Sequence, residues 1–286
     1  MTALVAGKKI ASGILTGLKS KIQNLGFTPK LVVILVGQNP ASLSYIKTKQ
    51  KMAENIGIAI ELKKYSEDIS QTNLETEIRS LNSAPRVNGI IVQLPLPKHL
   101  DRDKVLNAVA PRLDIDCLTA VNIQRLADSK PLYMPPAAAA VMTIFEDYKI
   151  ELTDKNILII GSGDLIGKPL GAILRNKNIP FAIANRETKN LAEMANQADI
   201  IITGVGHPGL LTGDMIKAGA VVIDAGTTGS TPPFPPLSKG GMKGGIVGDV
   251  DMQSVMGHAS LLAPVPGGVG PVTVALLLAN LVQSAQ

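Results

Sequence analysis

The stretch from 156 to 186 constrains the fold most. An apolar run, NILII, leads into the turn Gly161-Ser162-Gly163-Asp164-Leu165-Ile166-Gly167, a helix-like segment follows, and a second apolar run, FAIA, ends at Asn185-Arg186. Strand, glycine-rich turn, helix and strand in this order build a parallel βαβ unit. Glycines there let backbone N–H groups and a helix N-terminus approach an anion closely, which is what a dinucleotide pyrophosphate requires. A G-x-G-x-x-x-G pattern alone also fits any tight α/β loop; the flanking strands and helix favour the cofactor reading. Where the second strand ends, an NAD site places an acidic residue for the ribose 2′-hydroxyl. This chain offers Arg186, a forked cation suited to a 2′-phosphate, or else an ordinary solvated arginine.

This unit opens near residue 156 of 286, so about half the chain precedes it, and the length fits about two domains. In the first half, Ile10, Ile14, Leu18, Ile22 and Leu25 recur at helical spacing, and LVVILVG at 31–37 reads as a buried strand. A helix over about 41–56, the strand IAIELKKY, the helix NLETEIRSLN and a strand GIIVQLPLP at 89–97 follow. Alternation of this kind predicts a largely parallel sheet, and so an α/β domain of its own. PPAAAAVMTIFEDYKI at 135–150 reads as a helix bridging two domains, with Pro at its start. Beyond the glycine turn, 198–206, 219–226 and 245–251 read as further strand ends, where ligands of open α/β sheets bind. The Pro- and Gly-rich segment 229–245 reads as an exposed loop or irregular hairpin, and the apolar VTVALLLANLV as a buried terminal helix.

Composition narrows the function classes. With 28 basic and 23 acidic residues the net charge is +5, and the lysines are scattered. No basic block marks a nucleic-acid face, and with no Trp, four Tyr and four Phe a base-stacking platform is poorly supplied. The single cysteine, Cys117, excludes an internal disulfide and a Cys cluster for zinc, and His99, His207 and His258 match no metal-ligand spacing. The opening MTALVAGKKIASGIL lacks a signal-peptide core and no apolar run is long enough for a membrane span, so a cytoplasmic soluble protein is the expectation.

Five polar residues of the first half invite chemistry. Tyr45 and Lys49 lie four apart on one predicted helix face, although Lys47 and Lys51 nearby also fit a plain solvated surface. Gln93 falls within an apolar strand, where a buried amide needs partners. Asp114 and Asp116, at alternate positions in LDIDCL, share a face if the segment is extended, or else form a polar turn.

Together these segments carry a resemblance. SYIKTK at 44–49, VQLPLP at 92–97, DID at 114–116, GDMIKAGAVVID at 213–224, GDVD at 248–251 and PVPGGVGPVTVALLLAN at 264–280 are similar, in order and over nearly the whole chain, to the bifunctional methylenetetrahydrofolate dehydrogenase/cyclohydrolase family. The resemblance implies an N-terminal α/β folate domain, 1–134 plus a returning 265–286, and a Rossmann-type NADP-binding domain, 135–264, with a cleft between. It implies Lys49 as the cyclohydrolase lysine, Tyr45 packed on the folate, Gln93 supporting Lys49, and Asp116 hydrogen-bonding the pterin. Leu94, Pro95, Pro266, Gly267, Gly268 and Pro271 would complete the folate site. Gly161, Ser162, Gly163, Leu165, Ile166, Gly167, Asn185, Arg186, Gly204, Gly206 and Thr227 would bind NADP. It further implies a homodimer, no metal, no nucleic-acid or membrane partner, and a place in the one-carbon metabolism that serves purine biosynthesis.

The chain also departs from that family. Gly161-Ser162-Gly163 stands where G-R-S is usual, and Ala184-Asn185-Arg186 where C-H-S is usual. The cation would thus have moved from the turn to the end of the next strand; Asn185-Arg186-Glu187-Thr188 is similar to the NR-T phosphate clip of shikimate dehydrogenases. P-P-A-A at 135–138, Cys117 and Thr227-Thr228 are further departures. A dehydrogenase with weak or no cyclohydrolase activity, or a non-catalytic NADP-binding protein, are the competing readings.

Overall fold

A computed structural model describes residues 1–229 and 246–286. Its elements in the first half are β1 (Ala3–Leu4), α1 (Gly7–Gln23), β2 (Lys30–Val36), α2 (Pro40–Glu54), β3 (Ala59–Tyr65), α3 (Gln71–Asn82), β4 (Gly89–Val92), α4 (Arg102–Asn107), α5 (Ala120–Ala127) and α6 (Pro136–Asp147). They continue with β5 (Ile157–Ile160), α7 (Gly167–Asn176), β6 (Ala182–Ala184), α8 (Leu191–Gln197), β7 (Ile200–Thr203), β8 (Val221–Asp224), β9 (Thr228–Gly229), β10 (Ile246–Val247), α9 (Met252–Val255), β11 (Leu261–Ala263) and α10 (Val269–Ser284). Among the described residues no helix is long and apolar enough to cross a membrane. The chain forms two compact units, Ala11–Pro136 with Val274–Gln286, and Met1–Ile10 with Ala137–Thr273.

The first of these is built on the parallel sheet β3-β2-β4. The apolar run of β2 has no polar alternation because both faces are covered. Leu31, Val33 and Leu35 pack with Leu18 and Ile22 of α1, Ile46 and Ala53 of α2, and Leu277, Leu278 and Leu281 of α10. Val32, Ile34 and Val36 point the other way, onto Leu74, Ile78 and Leu81 of α3. The returning α10 is tied to the unit by Asn280, whose Nδ2 donates to the carbonyls of Ile115 and Met134, each at 2.9 Å.

The other unit carries a parallel sheet of order β1-β11-β8-β7-β5-β6 among the described residues. The strand order reverses between β5 and β7, and at such a switch point the carboxyl ends splay into a ligand crevice. Leu158, Ile160, Ile201, Val222 and Leu262 form the core of one face with Ala195 of α8 and Val255 of α9.

β1 pairs with β11, and residues 1–10 and 265–273 group with the six-stranded sheet. Two strand expectations are corrected. The strand drawn over 89–97 stops at Val92, because the prolines at 95 and 97 supply no ladder donor, so Gln93 lies just past its carboxyl end. GIVGDVD does not enter the main sheet: Ile246 and Val247 pair antiparallel with Gly229 and Thr228. The sheet takes Leu261–Ala263 instead. The proline- and glycine-rich reading of 229–245 lies, past Gly229, outside the described residues.

Candidate active site

Lys49 is the central observation in the first unit. It projects from α2, which starts at Pro40 under an N-cap where Asn39 Oδ1 accepts from the Ser42 N–H at 3.0 Å. Its side chain is 3 % exposed, rare for a lysine. Nζ donates to Gln93 Oε1 at 3.4 Å and lies 4.5 Å from the centroid of the Tyr45 ring, one helical turn earlier. Gln93 is held in turn: its N–H donates to the Ile34 carbonyl at 2.8 Å and its Nε2 to the Leu94 carbonyl at 2.9 Å. Ser42 Oγ donates to that same carbonyl at 3.4 Å, tying the segment carrying Leu94 and Pro95 to α2.

Burial disfavours the ammonium, so the Lys49 pKa is pushed below the usual lysine value, with the Asp116 carboxylate opposing the shift. Asp116, half-buried, is pushed upward by desolvation and, more weakly, by Asp114, while Lys49 pulls it down. Tyr45 is raised by burial and by Asp116. Lys49, Tyr45, Gln93 and Asp116 are thus one electrostatic group.

Asp114 is different. The DID segment is a turn rather than an extended strand, with Cys117 at a φ of 60° and its N–H donating to the Asp114 carbonyl at 3.2 Å. The Asp114 carboxylate accepts from the N–H groups of Leu118 at 3.0 Å and Thr119 at 2.8 Å, and from Asn122 Nδ2 at 2.9 Å. Its carboxylate builds the turn that presents Asp116.

In the second unit the glycine turn follows β5. Gly161 has a φ of +110°, and a Cβ there would lie 2.7 Å from Val205 Cγ1 and 3.1 Å from the Gly204 carbonyl oxygen. At Gly167, the first residue of α7, a Cβ would meet the Gly161 carbonyl oxygen at 2.0 Å. Both positions therefore require glycine. Ser162, Gly163 and Leu165 are exposed along the turn, while Ile166 is buried against Gly204. A Cβ at Gly163 would meet the Gly204 carbonyl oxygen at an ordinary 3.9 Å, so its side-chain absence is not forced by the fold.

At the end of β6, residues 185–188 close on themselves. Thr188 Oγ1 accepts from the Asn185 N–H at 2.9 Å, and Asn185 Oδ1 accepts from the Glu187 N–H at 2.9 Å. Arg186 is exposed on this closed turn and makes no ion pair among the described residues, while the Gly161 N–H donates to the Ala184 carbonyl beside it at 2.8 Å. Gly206 lies against Thr227, and its carbonyl accepts from Thr228 Oγ1 at 2.8 Å. The fold thus gathers the eleven nucleotide candidates at the carboxyl ends of β5, β6, β7 and β8. The missing Cβ atoms at Gly161 and Gly167, the N-terminus of α7 and the cation at Arg186 suit a phosphorylated dinucleotide.

Pro266, Gly267, Gly268 and Pro271 belong to this second unit, in the turn after β11 and the first turn of α10, with the Gly268 N–H donating to the Pro264 carbonyl at 2.8 Å. Sequence reading assigned no role to Asp224 and Asp249. Both are buried, and the Asp224 carboxyl is pushed up to about 6 by desolvation against the pull of backbone donors. An acid closing an apolar run, as in VVID, is the signal that could have found the first.

Comparison with known proteins gives this geometry a family. A model described as tetrahydrofolate dehydrogenase/cyclohydrolase, catalytic domain, matches residues 5–116, and the corresponding NAD(P)-binding domain model matches 135–286. The bifunctional protein FolD of Nautilia profundicola is 40% identical over 286 residues, covering 99% of this chain and 97% of its own. The crystal structure of the bifunctional FolD methylenetetrahydrofolate dehydrogenase/cyclohydrolase from Campylobacter jejuni aligns with a TM-score of 0.90 at 37% identity, over 100% of this chain and 99% of that one. The Trypanosoma brucei methylenetetrahydrofolate dehydrogenase-cyclohydrolase, complexed with NADP cofactor and inhibitor, aligns with a TM-score of 0.91 at 32% identity, over 99% and 97%. The chain belongs to the tetrahydrofolate dehydrogenase/cyclohydrolase family.

Proposed function

We propose that this chain oxidises 5,10-methylenetetrahydrofolate to methenyltetrahydrofolate with NADP and hydrolyses the product to 10-formyltetrahydrofolate. The observation that carries the reading is the buried Lys49, hydrogen-bonded to Gln93, stacked on Tyr45 and coupled to Asp116, in a chain whose relatives are bifunctional. The monofunctional alternative would leave this costly burial of an amine without a task.

NADP, when bound, accepts hydride from the one-carbon bridge of the folate. That step asks the protein for orientation more than for a strong base. Gly161 and Gly167 admit the pyrophosphate to the start of α7, and Arg186 meets the 2′-phosphate. Hydrolysis needs a positioned water attacking the methenyl carbon. Lys49, whose burial favours the neutral amine, takes a proton from that water or orients it, and the Gln93 carbonyl fixes Nζ. Asp116 accepts from the pterin amino and ring N–H groups. Tyr45 offers its ring face to the folate, with Leu94 and Pro95 beside it, and 266–268 with Pro271 supply close-packing backbone. A homodimer in the cytoplasm completes the reading; sedimentation of the pure protein tests the dimer.

Two assays on the intact enzyme test the function. Methylenetetrahydrofolate should reduce NADP, and methenyltetrahydrofolate should decay faster with enzyme than without, in the absence of nucleotide. NADP reduction without accelerated decay would favour the monofunctional reading.

A further inference from the structure

Two carboxylates behind the nucleotide crevice have only neutral partners among the described residues. Asp224, at the end of β8, is 2 % exposed and Asp249, just after β10, is fully buried; neither forms an ion pair among the described residues. Asp249 Oδ1 accepts from the His207 N–H at 2.7 Å and Oδ2 from the Val205 N–H at 2.8 Å. Asp224 in turn holds the backbone that carries Asp249. Its Oδ1 accepts from the N–H groups of Gly226 at 3.0 Å and Asp249 at 3.1 Å and from Thr203 Oγ1 at 3.2 Å, and its Oδ2 accepts from the Val250 N–H at 3.0 Å.

Two missing side chains make room for this brace. A Cβ at Gly226 would lie 2.1 Å from Asp249 Cγ, and one at Gly248 would lie 1.9 Å from Asp224 Oδ2. Burying two neighbouring carboxylates with no cation beside them among the described residues costs desolvation and mutual repulsion, so the pair is a poor means of adding stability. What it does achieve is to fix two peptide N–H groups, those of Val205 and His207, on the loop 204–207. That loop leaves β7 at the switch point, and it is the surface against which the Gly161 turn rests.

We propose that Asp249, braced through the backbone by Asp224, is a positioning residue for the nucleotide: it sets the 204–207 loop against the glycine turn so that Gly204 and Gly206 present their backbone to the dinucleotide. The proposal rests on the NADP reading above. The Asp249 carboxyl has an oxygen for each of the two N–H groups, whereas an asparagine offers one oxygen and turns an NH₂ toward the other donor.

Steady-state kinetics of Asp249→Asn with NADP and methylenetetrahydrofolate test this. Loss of one such bond corresponds to about a tenfold rise in KM for NADP, with kcat within about twofold and nucleotide-independent methenyltetrahydrofolate hydrolysis unchanged. An unchanged KM for NADP, or a parallel fall of both activities showing general damage, would overturn the proposal. Hydrogen exchange on the wild-type enzyme serves if the variant does not fold. The Val205 and His207 amides should be protected before nucleotide is added, and rapid exchange there would overturn the brace. A wild-type enzyme that fails to reduce NADP at all would overturn the nucleotide reading, and this proposal with it.

Discussion

The two units solve the problem of holding a reactant by opposite means. Around Lys49 the work is done by side chains: an amine, an amide, a phenol ring and a carboxylate, each perturbed by burial or by one another. Around Gly161 it is done by backbone and by the absence of side chains, with Arg186 as the main added charge. The difference follows from the tasks. Attack by water needs a group that exchanges a proton, whereas receiving a dinucleotide needs close approach and fixed dipoles.

If that contrast is right, substitutions should separate the activities. The largest separation is expected for Gly161→Ala, where a Cβ 2.7 Å from Val205 at a φ of +110° both clashes and strains the chain. NADP reduction should fall about a hundredfold or more, with hydrolysis of methenyltetrahydrofolate kept. Gln93→Ala removes the acceptor that fixes Lys49 Nζ, and should slow hydrolysis by about tenfold while moving NADP reduction less. Arg186→Ala should raise the KM for NADP about tenfold and leave that for NAD unaltered; equal effects on both would remove the 2′-phosphate assignment.

A smaller effect, on pH, sharpens the same contrast. Burial lowers the Lys49 pKa, so its neutral fraction grows as pH rises through a value below the ordinary lysine pKa of 10.5. The enzymatic hydrolysis rate, corrected for the uncatalysed one, should therefore rise with pH and level off below that value. On the acid side, Asp116 is raised above its usual 3.8, so folate binding should weaken on acidification before an ordinary aspartate would protonate. The NADP reduction rate, at saturating folate, should lack the Lys49 limb.

How much of this was legible in the sequence depended on whether the signal was local. The continuous apolar runs of β2 and β5 and the glycine turn could be read directly, because burial on both faces and close anion approach leave marks on consecutive residues. β1 and β11, of two and three residues, could not, since their pairing with β8 and with each other is set by strands far away in the chain. Asp114 and Asp116 are chemically identical in sequence; the Leu118 and Thr119 amides and Asn122 Nδ2 closing on Asp114 separate the turn-builder from the group coupled to Lys49. The role of Lys49 among its crowded lysine neighbours came from family resemblance, and its burial then supplied a physical reason. The Asp224–Asp249 brace is tertiary throughout and left no periodic trace.

The central claim is that water chemistry belongs to Lys49 and needs no nucleotide. Its most direct test is the decay of methenyltetrahydrofolate, without nucleotide, in the presence of wild-type enzyme and of Lys49→Met. The account predicts that the variant loses about a hundredfold of the enzymatic rate while still reducing NADP. Wild-type decay no faster than that of the variant would contradict it.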